Sequence, residues 1–473
     1  MLTLADVFEA LTGVRPEHAT QVITDASVDS RQIIPGGLFI ALKGERTDGH
    51  DYVTIAFERG AHLALIERDL STAFSVLDLR SGSIVEDLTI PDVPFCLLVQ
   101  DCLQALQRVA HFWRRKLDLR VIGITGSVGK STTKELVASV LGQRYRTLKN
   151  PGNMNNEIGL PITLLRLTPG HEVAVLEMGF YVPGEIDLLC DLALPQVGVV
   201  TNVGTVHAER AGSQEVIARG KSELVRSLPP APEGTAILNY DDPWVRDMAG
   251  KTQAQVLFYG LDPQADLWAD EVDGLGLEGI RFRMHYRDES IYLRVPLIGR
   301  HSVHTVLRAA AVGLVEGLTW QEIVSGLRAG HSQLRLVAVR TVSGALLLDD
   351  TYNATPESTM AALNLLEELE GRRVAVLGDM LELGPYESIG HEMVGVRAAE
   401  VVDELVTVGE RGRMIAAAAQ TAGLEGTKII ELESAEQVIE YLRPRLGEKD
   451  VVLVKGSHGM RMDRIVAALE YRS

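Results

Sequence analysis

Residues 121–141 constrain this chain more than any other segment. A short apolar run at 121–125 leads into Gly126-Ser127-Val128-Gly129-Lys130-Ser131-Thr132, and Leu136, Val137, Val140 and Leu141 then recur on one helical face. Strand, glycine loop and helix in that order make an anion site. Glycines let backbone N–H groups turn towards phosphate oxygens, and the helix N-terminus adds partial positive charge. Lys130 would meet the outer phosphates and Ser131 would hold magnesium. The strict eight-residue phosphate-loop pattern has glycine where this chain has Ile124, so this is a shorter variant. The competing reading is a glycine-rich turn before a surface helix with a chance lysine. The flanking strand and helix favour a nucleoside triphosphate, with Gly126, Ser127, Val128, Gly129, Lys130, Ser131 and Thr132 as its contacts.

At 473 residues the chain exceeds one comfortable core and suggests about three domains of roughly 150 residues. Apolar residues make up 46% and charged residues 23%, an ordinary globular balance. With 46 basic against 64 acidic side chains the formal charge is -18, a poor surface for nucleic acid or an acidic membrane leaflet. Cys96, Cys102 and Cys190 are odd in number and match no metal spacing, which fits a reducing compartment. The N-terminus has acidic residues in its first ten positions and no basic stretch before an apolar core, unlike a secretory signal. No apolar run approaches the roughly 20 residues of a membrane-spanning helix. The expectation is a cytoplasmic protein without membrane insertion.

Pattern changes suggest the organisation. Leu103, Leu106, Val109, Ala110 and Trp113 repeat at helical spacing over 101–116, which places a first boundary near residue 98. Beyond it, runs at 121–124, 173–176 and 197–201 alternate with helical stretches, the pattern of a mainly parallel sheet flanked by helices. Glycine and proline between Gly260 and Pro296, with alternating residues over 281–295, suggest hairpins inserted late in that domain. After Arg335, runs at 345–348, 374–377, 405–408 and 451–454 alternate with helical segments at 359–369 and 461–469, a second and smaller α/β domain. The expected domains are therefore 1–98, 99–335 and 336–473.

Phosphoryl transfer needs metal to neutralise developing charge, and carboxylates at the ends of parallel strands are well placed to hold it. Glu177 ends the run 173–176, although a surface glutamate is the simpler reading. His207 follows the run 197–201 through Asn202-Val203-Gly204-Thr205-Val206, yet a lone histidine is more often structural. Lys221, in Ala218-Arg219-Gly220-Lys221-Ser222-Glu223, reads by itself as a charged helix face. Three such features within one domain raise one another as a nucleotide and metal constellation.

Taken together, these residues resemble the Mur ligase family along essentially the whole chain. The N-terminal part is similar through Asp29-Ser30-Arg31, Pro35-Gly36-Gly37-Leu38-Phe39-Ile40-Ala41-Leu42-Lys43-Gly44 and Asp48-Gly49-His50. The centre is similar through the phosphate loop, Asn153-Met154-Asn155-Asn156-Glu157-Ile158-Gly159, Glu177-Met178-Gly179 and Thr201-Asn202-Val203-Gly204-Thr205-Val206-His207. Asp349-Asp350-Thr351-Tyr352-Asn353-Ala354-Thr355-Pro356, Val376-Leu377-Gly378-Asp379-Met380-Leu381-Glu382-Leu383-Gly384 and Lys455-Gly456-Ser457 resemble the dipeptide-adding member. The Asp-Asn-Pro-Arg signature of the sister that adds the third amino acid is not found.

The resemblance implies an α/β chain of three domains: an N-terminal uridine-nucleotide-binding domain, a central phosphate-loop ATPase-like domain with a mainly parallel sheet, and a C-terminal Rossmann-like domain. It implies ATP-dependent joining of D-alanyl-D-alanine to UDP-N-acetylmuramoyl-tripeptide through an acyl phosphate, by a monomer. ATP and two magnesium ions would serve as cofactors. Lys130, Lys221, His207 and Arg335 would be catalytic. Ser131, Glu177, His207 and Lys221 would attend the metals, Lys221 as a carbamylated lysine. Asn239, Asp242, Arg335 and Asp350 would approach the nucleotide, Asp350 at the ribose and Arg335 at phosphate on domain closure. Ser30, Arg31, Lys43, Asp48, Gly49, His50, Asn156, Tyr352 and Asn353 would contact the other substrates.

This chain departs from the family at Ser302 and Thr305, where asparagines are usual, at Leu334, where glycine often precedes the arginine, and at His458, where arginine often follows Lys-Gly-Ser. Three rivals stay open: another amide ligase of the same fold, a phosphate-loop ATPase that joins nothing, and a family member that binds without catalysing.

Overall fold

The computed structural model describes residues 1–44, 46–80, 90–205, 208–329 and 337–470. The chain packs into two compact units. The first comprises Met1–Gly123, Tyr145–Gly179 and Gly184–Val197, the second Ile124–Arg144, Phe180–Pro183 and Gly198–Ser473.

In the first unit, β1 (Ala26–Ser27), β2 (Leu38–Ile40), β3 (Leu63–Ile66), β4 (Val76–Asp78) and β5 (Phe95–Leu98) form a sheet in the order β1-β2-β3-β5-β4. Every pairing is parallel. A sheet buried on both faces needs apolar residues throughout its strands, and β2, β3 and β5 are wholly buried. The helix Leu4–Thr12 starts with a Thr3/Asp6 capping box and stops at Gly13, which takes the left-handed conformation at φ 78°. The helix Cys102–Arg115 buries Leu106, Val109, Ala110 and Trp113, and the Trp113 indole donates to the Leu167 carbonyl at 2.9 Å. Its Arg114, also buried, donates to the carbonyls of Ala193, Leu117 and Leu119.

The middle of the chain supplies β6 (Arg120–Thr125), β7 (Thr147–Lys149), β8 (Val173–Glu177), β9 (Val197–Val200), β10 (Thr235–Asn239), β11 (Gln255–Gly260), β12 (Leu267–Gly274), β13 (Ile280–Tyr286) and β14 (Glu289–Val295). The pairs β7–β8, β10–β11 and β11–β12 are parallel, while β12–β13 and β13–β14 are antiparallel. The hairpins expected between Gly260 and Pro296 are thus present, as the tail of the parallel part. In the second unit, the helix Lys130–Leu141 packs against the helices Ser302–Val315 and Trp320–Ala329. Gly313 and Gly326 permit this approach, since a Cβ on Gly326 would lie 2.4 Å from the Val140 Cα.

Also in the second unit, β15 (Val337–Arg340), β16 (Leu346–Asp350), β17 (Arg372–Gly378), β18 (Glu404–Val408), β19 (Ile429–Leu432) and β20 (Asp450–Lys455) are ordered β15-β16-β20-β17-β18-β19. Only β15 runs antiparallel to its neighbour. Alternate residues sort onto two faces. Leu348, Ala375, Leu377, Leu405 and Leu453 pack beneath the helices Pro356–Glu367, Glu387–Val401 and Gly412–Thr421. Leu347, Val374, Val376, Val406 and Val452 face Ala435–Leu442 and Asp463–Leu469. This is a doubly wound sheet, and the chain reverses direction across β16, β20 and β17, where such sheets open a crevice at the strand carboxyl ends. Among the described residues no helix is long and apolar enough to cross a membrane.

Candidate functional site

Strand β6 ends at Thr125, and the loop that follows is held from the segment after β9. Thr201 Oγ1 donates to the Val128 carbonyl at 2.7 Å, and the Asn202 carboxamide oxygen accepts from the Val128 N–H at 2.9 Å. The Ser127 N–H reaches the Asn202 carbonyl at 3.0 Å, and the Gly204 N–H donates to Ser127 Oγ at 2.9 Å. Gly126 has φ +146°, and a Cβ there would lie 1.8 Å from Thr201 Oγ1, so only glycine fits. Gly129, at φ +84°, opens the helix Lys130–Leu141 without a side-chain cap, and a helix N-terminus of this kind favours anions. Lys130 Nζ arches back over the loop to the carbonyls of Gly126 and Ser127, at 2.9 and 3.3 Å. Ser131 and Thr132 stand half-buried on the first turn. A glycine loop, a helix start and a lysine so arranged can receive an anion such as a polyphosphate.

Asn239 and Asp242 brace this cradle from the end of β10. The Asn239 amide donates to the Thr201 carbonyl at 3.1 Å. One Asp242 oxygen caps the short helix Pro243–Arg246, and the other accepts from the Val203 N–H at 2.8 Å.

Lys221 lies on the helix Gln214–Arg226 and is completely buried. Gly220 beside it makes room for Phe180, whose ring would meet a Cβ at 1.9 Å. The Lys221 Nζ sits 4.9 Å over that ring and has no hydrogen-bond partner among the described residues. Burial, with Lys130 adding repulsion, holds its pKa well below the usual lysine value. Burial thus favours the uncharged form of this amine. In the first unit, Glu177 ends β8 and is 2% exposed. Asn155 donates to its carboxylate at 2.9 Å, and Asn150 clamps its main chain through N–H and carbonyl, at 2.9 and 3.1 Å. Among the described residues no group of three or more His, Cys, Asp or Glu gathers as a ready metal cage. His207 and Arg335, with Leu334, lie outside the described residues.

At the crevice of the last sheet, Lys455 at the end of β20 donates to Asp350 at the end of β16, 2.6 Å away, and to the Asn353 carbonyl at 2.9 Å. Tyr352 and Asn353 are exposed beside this part-buried pair, and the His458 ring lies 6.2 Å from that of Tyr352. In the first unit, Ser30 is buried and Arg31 is exposed on a turn capped by Asp29, to which its guanidinium pairs. Lys43 is exposed and bridges Asp48 through its backbone. A Cβ on Gly49 would lie 2.6 Å from the Leu42 carbonyl oxygen. His50 has both ring nitrogens engaged: Nδ1 lies 2.6 Å from Asp48 and Nε2 accepts from the Glu67 and Arg68 amides. Asn156 accepts from the Gly159 N–H at 2.8 Å, just before the helix Gly159–Leu165.

Sequence reasoning gave no role to Thr201 and Asn202, which lock the loop, to Asn155 and Asn150, which fix Glu177, or to Glu357. The Glu357 carboxylate, from the first turn of Pro356–Glu367, accepts from the Thr205 N–H at 3.3 Å. The signal for Thr201 and Asn202 was their place just past a strand. Nothing local in the sequence marks the others.

The family profiles give the class. The Mur ligase family catalytic domain matches residues 22–95, the Mur ligase middle domain 124–313, and the glutamate ligase domain 334–458. The chain belongs to the Mur ligase family, with its N-terminal, middle and C-terminal domains in that order. It is 34% identical, over 99% of its length and 98% of the relative's, to the UDP-N-acetylmuramoyl-tripeptide--D-alanyl-D-alanine ligase of Bacillus subtilis strain 168. A crystal structure of MurF from Acinetobacter baumannii superposes with a TM-score of 0.83 at 30% identity, covering 98% of this chain and 97% of that one. The MurF ligase of Thermotoga maritima in complex with ADP gives 0.77 at 27% identity, covering 97% of each chain.

Proposed function

We propose that this chain is the cytoplasmic ligase that adds D-alanyl-D-alanine to UDP-N-acetylmuramoyl-tripeptide at the expense of ATP. Similarity to a ligase of that activity along 99% of the chain carries the reading, and the phosphate cradle supplies the chemistry it requires. Residues 1–98 would hold the uridine nucleotide, 99–335 ATP, and 336–473 the dipeptide.

A carboxylate is a poor electrophile, so it is activated first. The tripeptide's terminal carboxylate oxygen attacks the γ-phosphorus of ATP, the bond to ADP breaks, and an acyl phosphate forms. The neutral amine of D-alanyl-D-alanine then attacks the acyl carbon, phosphate leaves with the bonding pair, and the amine loses a proton. Both steps crowd anionic oxygens together, so the chain's task is positioning and charge stabilisation. The amides from Gly129 onward and Lys130 would serve the phosphates, and Arg335, just before the last domain, would reach them on domain closure. Asp350, held by Lys455, would take the ribose. Ser30, Arg31, Lys43, Asp48 and Asn156 would position the nucleotide-peptide, with Gly49 and His50 shaping the turn beneath it. Tyr352 and Asn353 would meet the dipeptide.

Ser131, Glu177, His207 and Lys221 would hold two magnesium ions, which would offset the charge on the transferring phosphoryl group. Lys221 would join them in modified form: its buried amine, which has no hydrogen-bond partner among the described residues, would attack carbon dioxide and lose a proton, giving an anionic carbamate. The protein would act as a monomer.

Incubation with ATP, magnesium, UDP-N-acetylmuramoyl-tripeptide and D-alanyl-D-alanine tests the reading by mass spectrometry. A nucleotide-pentapeptide formed with one ADP per product is expected. Product with a single amino acid in place of the dipeptide would instead mark a sister ligase.

A further inference from the structure

We propose that Arg308 binds the nucleotide, its guanidinium supplying a second cation for the phosphates that Lys130 serves. The inference rests on the nucleotide reading of the phosphate loop, but the loop motif itself does not contain it.

Arg308 lies midway along the helix Ser302–Val315 and is 4% exposed. Nε donates to Thr133 Oγ1 at 2.9 Å, Nη2 to Thr305 Oγ1 at 2.8 Å and Nη1 to the Tyr259 hydroxyl at 3.4 Å. A Cβ on Gly129 would stand 3.1 Å from Nη2, so the guanidinium touches the glycine that opens the phosphate-loop helix. Thr133 in turn donates to the Gly129 carbonyl at 2.6 Å, tying the arginine to the loop from a second side.

All three partners are neutral hydroxyls, and no carboxylate pairs with Arg308 among the described residues. Buried charge is costly unless an opposite charge answers it. The buried Arg114 shows how a structural arginine is satisfied, with three main-chain carbonyls around its guanidinium. Arg308 has no carbonyl among its partners, and two of its five N–H groups are left over. An interior cation with spare donors, lacking a protein anion and in contact with a glycine of an anion cradle, is suited to an anion that arrives with the ligand. Thr305, which departs from the family's asparagine, is one of the hydroxyls that aims it.

ADP binding by the full-length protein, measured by calorimetry, tests this with Arg308→Gln, which keeps donors but loses the charge, and Arg308→Lys, which keeps the charge. A roughly ten-fold or greater loss of ADP affinity in Arg308→Gln is expected, as for loss of a charge-assisted hydrogen bond, with Arg308→Lys within about three-fold of wild type. KM for ATP should rise more than kcat falls. Should Arg308→Gln fail to fold, Arg308→Met takes its place with the same expectation. ADP affinity unchanged in the charge-free variant, with only a lower thermal midpoint for the nucleotide-free protein, would overturn the proposal and leave Arg308 a packing residue. Failure of the wild type to bind ADP would instead overturn the nucleotide reading on which it rests.

Discussion

Thr201 Oγ1 occupies the position that a side chain on Gly126 would need, 1.8 Å from its ideal Cβ, and donates to the Val128 carbonyl two residues on. The loop's shape is thus set by a strand end distant in sequence as well as by its own glycines. Gly126→Ala should cut ADP affinity by more than about ten-fold while leaving most of the fold intact, since the strain is local. Calorimetric titration against ADP reads the first effect and circular dichroism the second. Thr201→Ala should weaken binding less, because it frees the loop without filling it.

Lys221 gives a pH dependence with a definite sign. Its folded-state pKa is depressed, so between that value and 10.5 the unfolded chain binds a proton that the folded chain refuses. In bicarbonate-free buffer, stability should therefore fall as pH drops from about 10.5 towards the folded value. Lys221→Met should remove that slope and melt higher than wild type at neutral pH, while losing ligase activity.

Carbamylation makes a separate prediction. Lys221→Ala should be inactive, and short carboxylic acids should restore part of the activity by supplying the missing oxygens. Full activity in the variant without rescue would rule the carbamate out.

Asp6 offers a control remote from the chemistry. Burial pushes its carboxyl up, but hydrogen bonds from Thr3, Arg15 and Lys116 outweigh burial and hold it at about 2, below the ordinary 3.8. A depressed carboxylate stabilises above its unfolded value and loses that stabilisation as pH falls through the folded one. Asp6→Asn should cost about 1–2 kcal/mol at neutral pH in urea titrations, a cost that shrinks as pH falls from 3.8 to about 2 and below.

The sequence carried much of the fold because strand and helix periods were clean. The expected runs at 173–176, 374–377 and 451–454 became β8, β17 and β20 with ends moved by a residue or two. The phosphate loop was legible because strand, glycines, lysine and helix are contiguous. Arg308 and Asn155 were not, since each acts through a partner 22 or more residues away that no local pattern announces. Nor was the braced state of His50, Asn239 and Asp242. Motif membership singles out a residue without saying whether its side chain faces ligand or backbone.

Phosphate release from magnesium ATP, with the tripeptide nucleotide and D-alanyl-D-alanine added singly and together, tests the central claim most directly. Release only when both are present, abolished in Lys130→Ala, is the predicted result. Release indifferent to either peptide would contradict the ligase account and favour an ATPase, and no release from well-folded protein that binds both substrates would mark a non-catalytic family member.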